Sequence, residues 1–358
     1  MMKLLHISNI GFNPSSGMFV AVPQHVLHHS QLVDVAYINV GGYKIENFKN
    51  QFKYQKPFKL GDLPVDFQHP DLVVFHGCYF IEYISIYKEL KKTRIPYIIV
   101  PHGSFTIESQ EKKWLKKKLY RLAFLERFVK DAVAVQYLSQ GESYKTAFPH
   151  PNSFIGANGI DEHIETIIPQ ERLIMTYIGR LDTYHKGIDL LCEACNIEKT
   201  YLEEHGVQVN LYGPDQNGLH QQITQLINKW KVSNIIKVNN GVFSEDKKKI
   251  LIESSYFLQT SRSEGLPMGV LEALSYGLPC IITRGTNLLD IVNNYNAGWV
   301  CETTPSQIAK AIKTAIEEVR YIPIKSLNAK KLVHENFSWD IVAKDTIEHY
   351  KLIISRTK

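Results

Sequence analysis

Short apolar runs recur along the chain, each closed by a turn residue and followed by a longer stretch of mixed polarity. In the first half they fall at Lys3–Ser8, Val33–Val40, Asp71–His76, Pro96–Pro101 and Ala132–Gln136. In the second they fall near Leu173–Ile178, Val207–Tyr212, Ile235–Val238, Tyr256–Thr260, Cys280–Thr283 and Gly298–Cys301. The runs are continuous rather than alternating, which marks strands buried on both faces of a parallel sheet. Helices are expected in the intervals, among them Met18 to about Ser30, Gly187–His205, Leu219–Lys231 and a last one from Trp339 to about Ser355. Strand and helix alternating in this way predict an α/β chain of two Rossmann-like, doubly wound domains. The expected boundaries are 1–162, 163–337 and a final segment 338–358, with His163–Glu171 as the linker. Tyr43–Phe67 has no clear period and reads as a loop or short hairpin on the substrate side.

Length agrees with two domains, since 358 residues at 44% hydrophobic content can fill two cores. No apolar run is long enough to span a bilayer, and the N-terminus passes directly into a strand pattern without a signal-peptide core. The five cysteines are odd in number and lie in apolar contexts, so reduced thiols and a cytoplasmic setting are expected. Cys192 and Cys195 have C-x-x-C spacing, but no second pair or nearby histidine completes a metal site, and helix packing explains them. The formal charge of +5 is concentrated: residues 111–130 carry eight Lys/Arg against Glu111 and Glu126, a local +6. This excludes a general nucleic-acid surface and leaves one basic helix. Apolar residues at 115, 119, 122, 125 and 129 are spaced as a core-facing stripe, with lysines, Trp114 and Tyr120 opposite. Such a face is either solvated or suited to an anionic membrane surface, in this case through residues 112–130.

Chemistry concentrates between Tyr256 and Pro279. A buried strand, a polar turn, Pro267 at the expected first helical position and a stop at Tyr276-Gly277 form a strand–loop–helix unit. Backbone N–H groups at Met268 to Val270 would then face outward at the positive end of a helix, an arrangement that binds phosphate. Glu264 and Glu272 bracket it. On one continuous helix they would lie about 12 Å and about 80° apart, so both reach one ligand only if Glu264 sits on the loop and Glu272 in the helix. A nucleotide sugar, with phosphates between two sets of hydroxyls, has the matching layout. A helix-capping Glu264 and a solvated Glu272 form the plain alternative.

The E-x7-E spacing within Ser-Glu-Gly-Leu-Pro-Met-Gly-Val-Leu-Glu-Ala resembles the signature of retaining glycosyltransferases of the GT4 family. Ile178-Gly-Arg-Leu-Asp and Lys186-Gly-Ile-Asp189 resemble its diphosphate-holding arginine and lysine. Asn158-Gly-Ile-Asp161 is similar to its interdomain turn, Leu211-Tyr-Gly-Pro-Asp215 to its second donor-domain loop, and Pro101-His-Gly103 to its histidine loop. The resemblance implies a GT-B fold: an acceptor domain and a donor domain facing a central cleft, closed on one another to exclude water, with the last helix crossing back to the first. It implies catalytic roles for Glu264, His102, Arg180 and Lys186. Donor contacts would come from Gly17, Arg180, Lys186, Gly213, Glu264, Gly265, Leu266, Pro267, Met268 and Glu272. His76-Gly77 and His102-Gly103 should open on the same crevice. The family commonly has a Gly-Gly pair after the first strand, where this chain has only Gly17 behind Ser15 and Ser16.

Arg180 and Lys186 could together neutralise a leaving nucleoside diphosphate, the first in two-point contacts and the second as a point charge. The chain has no Asp-x-Asp pair, so no metal and no cofactor beyond the nucleotide sugar is expected. Glu272 would accept bonds from ribose and Glu264 from the hexose. Transfer with retention to a glycan, carried on a lipid and made at the inner membrane face for a surface polysaccharide, is the implied activity. UDP is the commoner carrier and GDP the alternative. A nucleotide-sugar 2-epimerase on the same fold and a non-catalytic basic membrane-surface protein are the rivals.

Overall fold

The computed structural model describes residues 1–12, 17–111, 118–167, 172–216 and 218–357. Ser15 and Ser16, the basic positions 112, 113, 116 and 117, Trp114, Leu115 and the linker end 168–171 lie outside the described residues. The chain divides into two compact units, residues 1–159 with 339–358, and residues 160–338. The first holds a seven-stranded sheet in the order β3-β2-β1-β4-β5-β6-β7. Its strands are β1 (Lys3–Ser8), β2 (Asp34–Asn39), β3 (Gln51–Phe52), β4 (Leu72–His76), β5 (Tyr97–Val100), β6 (Ala134–Tyr137) and β7 (Ser153–Ile155). The second holds six in the order β10-β9-β8-β11-β12-β13: β8 (Ile174–Ile178), β9 (Gln208–Tyr212), β10 (Ile236–Asn239), β11 (Tyr256–Gln259), β12 (Cys280–Thr283) and β13 (Gly298–Cys301). Every pairing in both sheets is parallel. Two parallel α/β units of this kind are the GT-B architecture.

Burial on both faces explains the unbroken apolar strands. β4 and β5 are buried throughout, as is β11, and the Cys192 and Cys195 side chains pack in the core of the second unit. In each sheet the strand order reverses direction at one place, between β1 and β4 and between β8 and β11. Loops at the carboxyl ends of strands flanking such a reversal form the ligand crevice of open α/β sheets. The last helix, Trp339–Thr357, belongs to the first unit. Its Tyr350 donates to Gln136 Oε1 at 2.7 Å, and Trp339 fills the space a side chain at Gly159 would need.

Several expectations need correction. Tyr43–Phe67 forms no hairpin: Gln51 and Phe52 add a parallel edge to β2, and two 3-10 turns come after them at Leu60–Asp62 and Val65–Phe67. The expected helix Gly187–His205 is two, Ile188–Ile197 and Lys199–Glu204. Position 153–155 is a strand, too short to stand out by periodicity. The basic segment departs most. Between Arg121 and Leu125 the backbone makes a π-turn, in which the Glu126 N–H bonds to Arg121 O. The extra residue rotates the residues on its N-terminal side relative to those on its C-terminal side. Phe124, Leu125, Phe128 and Val129 are buried, whereas Leu119 and Leu122 are 72% and 65% exposed. Tyr120 turns inward, its hydroxyl donating to Cys78 O at 3.2 Å and Phe80 O at 2.9 Å. The expected single stripe therefore splits into an inner and an outer set.

Candidate active site

In the second unit the loops after β8 and β11, the strands flanking the reversal, are tied together. Gly187 makes this possible. Its φ is +64°, and a Cβ there would stand 2.0 Å from Thr260 O, so only glycine lets the two loops touch. The Thr260 hydroxyl donates to Lys186 O at 3.2 Å and Gly187 O at 3.0 Å, and Arg262 N–H donates to His185 O at 2.9 Å. Arg262 then forks onto both Asp189 oxygens at 2.7 Å, reaches Tyr184 O at 2.6 Å and lies 4.3 Å from the Tyr184 ring. The Asp189 carboxylate holds the Arg262 guanidinium above its ordinary pKa. Thr283 Oγ1 donates to Ser261 O at 2.7 Å, which anchors the far side of the same loop.

On this frame Glu264 Oε1 collects three donors: Lys186 Nζ at 2.6 Å, Ser261 Oγ at 2.6 Å and Gln259 Nε2 at 2.8 Å. The Lys186 and Glu264 side chains are only 15% and 12% exposed. Charge-assisted bonds in so little water are the strong kind. Asn287 Nδ2 donates to the Glu264 and Gly265 carbonyls, fixing the loop where it bends toward the helix. Arg180 is exposed at the end of β8. Burial, with the Glu264 charge adding, pushes the Tyr177 phenol well above its usual range; it stays protonated and donates to Arg180 O at 2.7 Å. Gly179 and Gly213 lie back to back: a Cβ on Gly213 would come within 2.2 Å of Gly179 O.

The Glu264 loop leads into the helix Met268–Ser275, with Pro267 at the capping position rather than the first helical one. The Val270 N–H already bonds to Pro267 O at 2.9 Å, so it is no outward-facing donor as expected. Glu272 sits in the first turns of this helix, as the two-carboxylate layout requires. It is held by Lys247 of the helix Ser244–Ile252 and not by the Glu264 group. Lys247 carried no sequence signal, since nothing in a run of three lysines says which one meets a carboxylate on another helix. Gln259 and Ser261 were legible in principle, as polar side chains at the end of a buried strand.

In the first unit Gly17 opens the helix Gly17–Ser30, with nothing among the described residues within 4 Å of where a Cβ would point. His102 comes after β5 at φ +50° and is half-buried. His76 does not open outward as expected; it is buried, and its Nδ1 lies 2.9 Å from His102 Nε2. Behind it, His6 Nδ1 lies 2.9 Å from His76 Nε2, and His29 Nδ1 lies 3.2 Å from His6 Nε2. His25 stands beside this row and meets Asn158 Oδ1 through Nε2 at 2.9 Å. Desolvation drives all five imidazoles down, His6 and His102 to about 3, His25 to about 4, and His29 and His76 well below 6.5. Among the described residues no group of His, Cys, Asp and Glu has metal-holding geometry.

Residues 160–326 match the family described as Glycosyl transferases group 1. Over 183 residues the chain is 27% identical to an uncharacterized glycosyltransferase of Methanocaldococcus jannaschii, covering 51% of this chain and 45% of that protein. A glycogen synthase of Flavobacterium johnsoniae is 27% identical over 193 residues, 51% of this chain and 39% of that one. The matched stretch thus spans less than half the length of these relatives. Among solved structures, Anabaena HepE in complex with UDP-glucose superposes with a TM-score of 0.71 at 16% identity, covering 98% of this chain and 100% of that one. The Glu264 site lies wholly inside the residues that match this family description, all of them in the second unit.

Proposed function

We propose that the chain is a retaining, metal-independent glycosyltransferase of the GT4 type. It moves a hexose or N-acetylhexosamine from a nucleotide diphosphate sugar to a lipid-linked glycan acceptor in surface polysaccharide synthesis, with UDP favoured over GDP. The observation that carries this reading is the Glu264 group. A carboxylate and a lysine from two loops meet at the strand reversal of the second sheet, where open α/β folds bind ligands, and Arg180 is exposed at the end of the neighbouring β8. The relative solved with UDP-glucose supports the choice of carrier.

Arg180 and Lys186 neutralise the diphosphate, and their charge does the work that a metal would otherwise do. The acceptor oxygen attacks the anomeric carbon from the face the diphosphate leaves. The bond from that carbon to the phosphate oxygen breaks, and the departing phosphate takes the acceptor's proton. Glu264, held by Ser261 and Gln259, accepts hydrogen bonds from the sugar and stabilises positive charge on the ring. Glu272 turns from Lys247 to the ribose. The exposed Leu119 and Leu122, on a basic segment, favour peripheral contact with an anionic membrane, a setting that suits a lipid-linked acceptor.

The test is calorimetry with UDP-, GDP- and ADP-sugars, then product analysis with and without acceptor in EDTA. Binding of one sugar and transfer with unchanged anomeric configuration are expected. Affinity for none of the three, dependence on added Mg2+ or Mn2+, or conversion of the donor alone to its 2-epimer would each refute part of the proposal.

A further inference from the structure

The row His29–His6–His76–His102 joins the helix Gly17–Ser30, β1, β4 and the loop after β5, with neighbouring ring centroids 5.2 Å apart at each step. His6, His29 and His76 are out of contact with solvent, and burial keeps the imidazoles of the row uncharged at neutral pH. A neutral imidazole has one N–H and one bare nitrogen. Three bonds between four such rings can therefore run only in one sense or wholly in the other. In one sense each Nδ1–H donates toward His102, whose own proton must then sit on Nδ1, and His29 Nε2 is left bare. In the other, every proton moves to Nε2, and His29 carries a buried N–H. His29 Nε2 has no hydrogen-bond partner among the described residues. Stranded buried N–H groups are rarer than stranded acceptors, which selects the first sense.

We propose that His29, His6 and His76 are positioning residues that lock His102 as an Nδ1–H donor, directed at a sugar or acceptor oxygen at the carboxyl end of the first sheet. This deepens the proposed function and rests on it for the identity of the ligand. The row is a lock and not a proton path. A proton passed inward from His102 would have to leave at His29 Nε2, which leads to no acceptor among the described residues. His102 sits in a left-handed backbone conformation, φ +50°, and presents Nε2 to His76.

The test is nitrogen NMR of the full chain labelled with 15N-histidine at pH 7.5, with His102→Asn used for assignment. The wild-type protein should show His102 protonated at Nδ1 and bare at Nε2, with His6 and His76 in the same tautomer. A proton on His102 Nε2, or an imidazolium, overturns the proposal and needs no second variant. His76→Leu should convert the His102 signal to a mixture and lower kcat/KM at least tenfold. His76→Gln, whose amide can donate to His102 Nε2, should restore both; no recovery in either would also overturn it. Absence of any nucleotide-sugar turnover would sink the proposed function while leaving the tautomer measurement to stand or fall by itself.

Discussion

Mild acid should unfold the first unit selectively. The five imidazoles of His6, His25, His29, His76 and His102 are held uncharged by burial, His6 and His102 with pKa values of about 3, His25 about 4, and His29 and His76 well below the ordinary 6.5. A base whose folded pKa is depressed leaves stability untouched above its unfolded pKa. Below that pH only the unfolded chain takes the proton, so stability falls until the folded pKa is reached. At pH 5.5 His6, His25 and His102 each cost about 1.4 kcal/mol, ~4 kcal/mol counted as independent, and His29 and His76 add to this in the same sense. That is a large share of the stability of an ordinary domain. Glu142, raised by burial, works in the opposite direction but is one group. Asp131, which burial alone would raise, is held lower by its bonds from Lys91 and Tyr87 and titrates below this window. In the second unit His163 is lowered by burial as well, but it is a single group. Hydrogen exchange read by mass spectrometry at pH 7.5 and 5.5, corrected for intrinsic rates, distinguishes the units. Peptides of β1 and β4 should lose most of their protection at pH 5.5 while those of β8 and β11 keep theirs. Equal protection of β1 and β4 at both pH values would refute the account of the histidines as neutral.

Other consequences are local to the second unit. Glu264→Ala should abolish transfer with an unchanged circular dichroism spectrum; normal turnover would remove its assigned role. Arg180→Ala, at an exposed position, should shift the melting midpoint little yet weaken UDP binding tenfold or more by calorimetry, the loss of about 1.4 kcal/mol. Lys186→Ala should do the same to UDP and also destabilise the fold by about 1.5–3 kcal/mol, because Glu264 keeps only neutral donors in a nearly dry place. Gly187→Ala combines a left-handed backbone with a collision at Thr260 O, and a loss of about 2–6 kcal/mol in urea titration is expected.

Strands were the most legible part of the chain because parallel sheets write themselves as apolar runs bounded by turns. Cys280–Thr283 and Gly298–Cys301 are read from sequence with their observed limits. Arg180, Lys186 and Glu264 were marked by motifs of the family resemblance, and the structure brings Lys186 and Glu264 into contact. What escaped was long-range pairing. Lys247 opposite Glu272, Arg262 across from Asp189, and the histidines on four separate elements become neighbours only after the chain folds. Short edge strands escaped too, since three residues carry no period. The turn Arg121–Leu125 misled the reading of its helix, because a repeat of 3.6 residues was assumed where the backbone inserts a wider loop of hydrogen bonding.

That wider turn takes up one residue without changing which side chains the basic segment before it presents. Removing Ala123 would return the segment to regular winding without turning what precedes it: Tyr120 would stand three residues before Phe124 and stay on the face of Phe124 and Phe128, and Leu119 would stay outward. Phe124 and Phe128 would keep their places in the core. A protein so shortened would keep Leu119 on the outside, so its affinity for lipid should survive the loss of the wide turn.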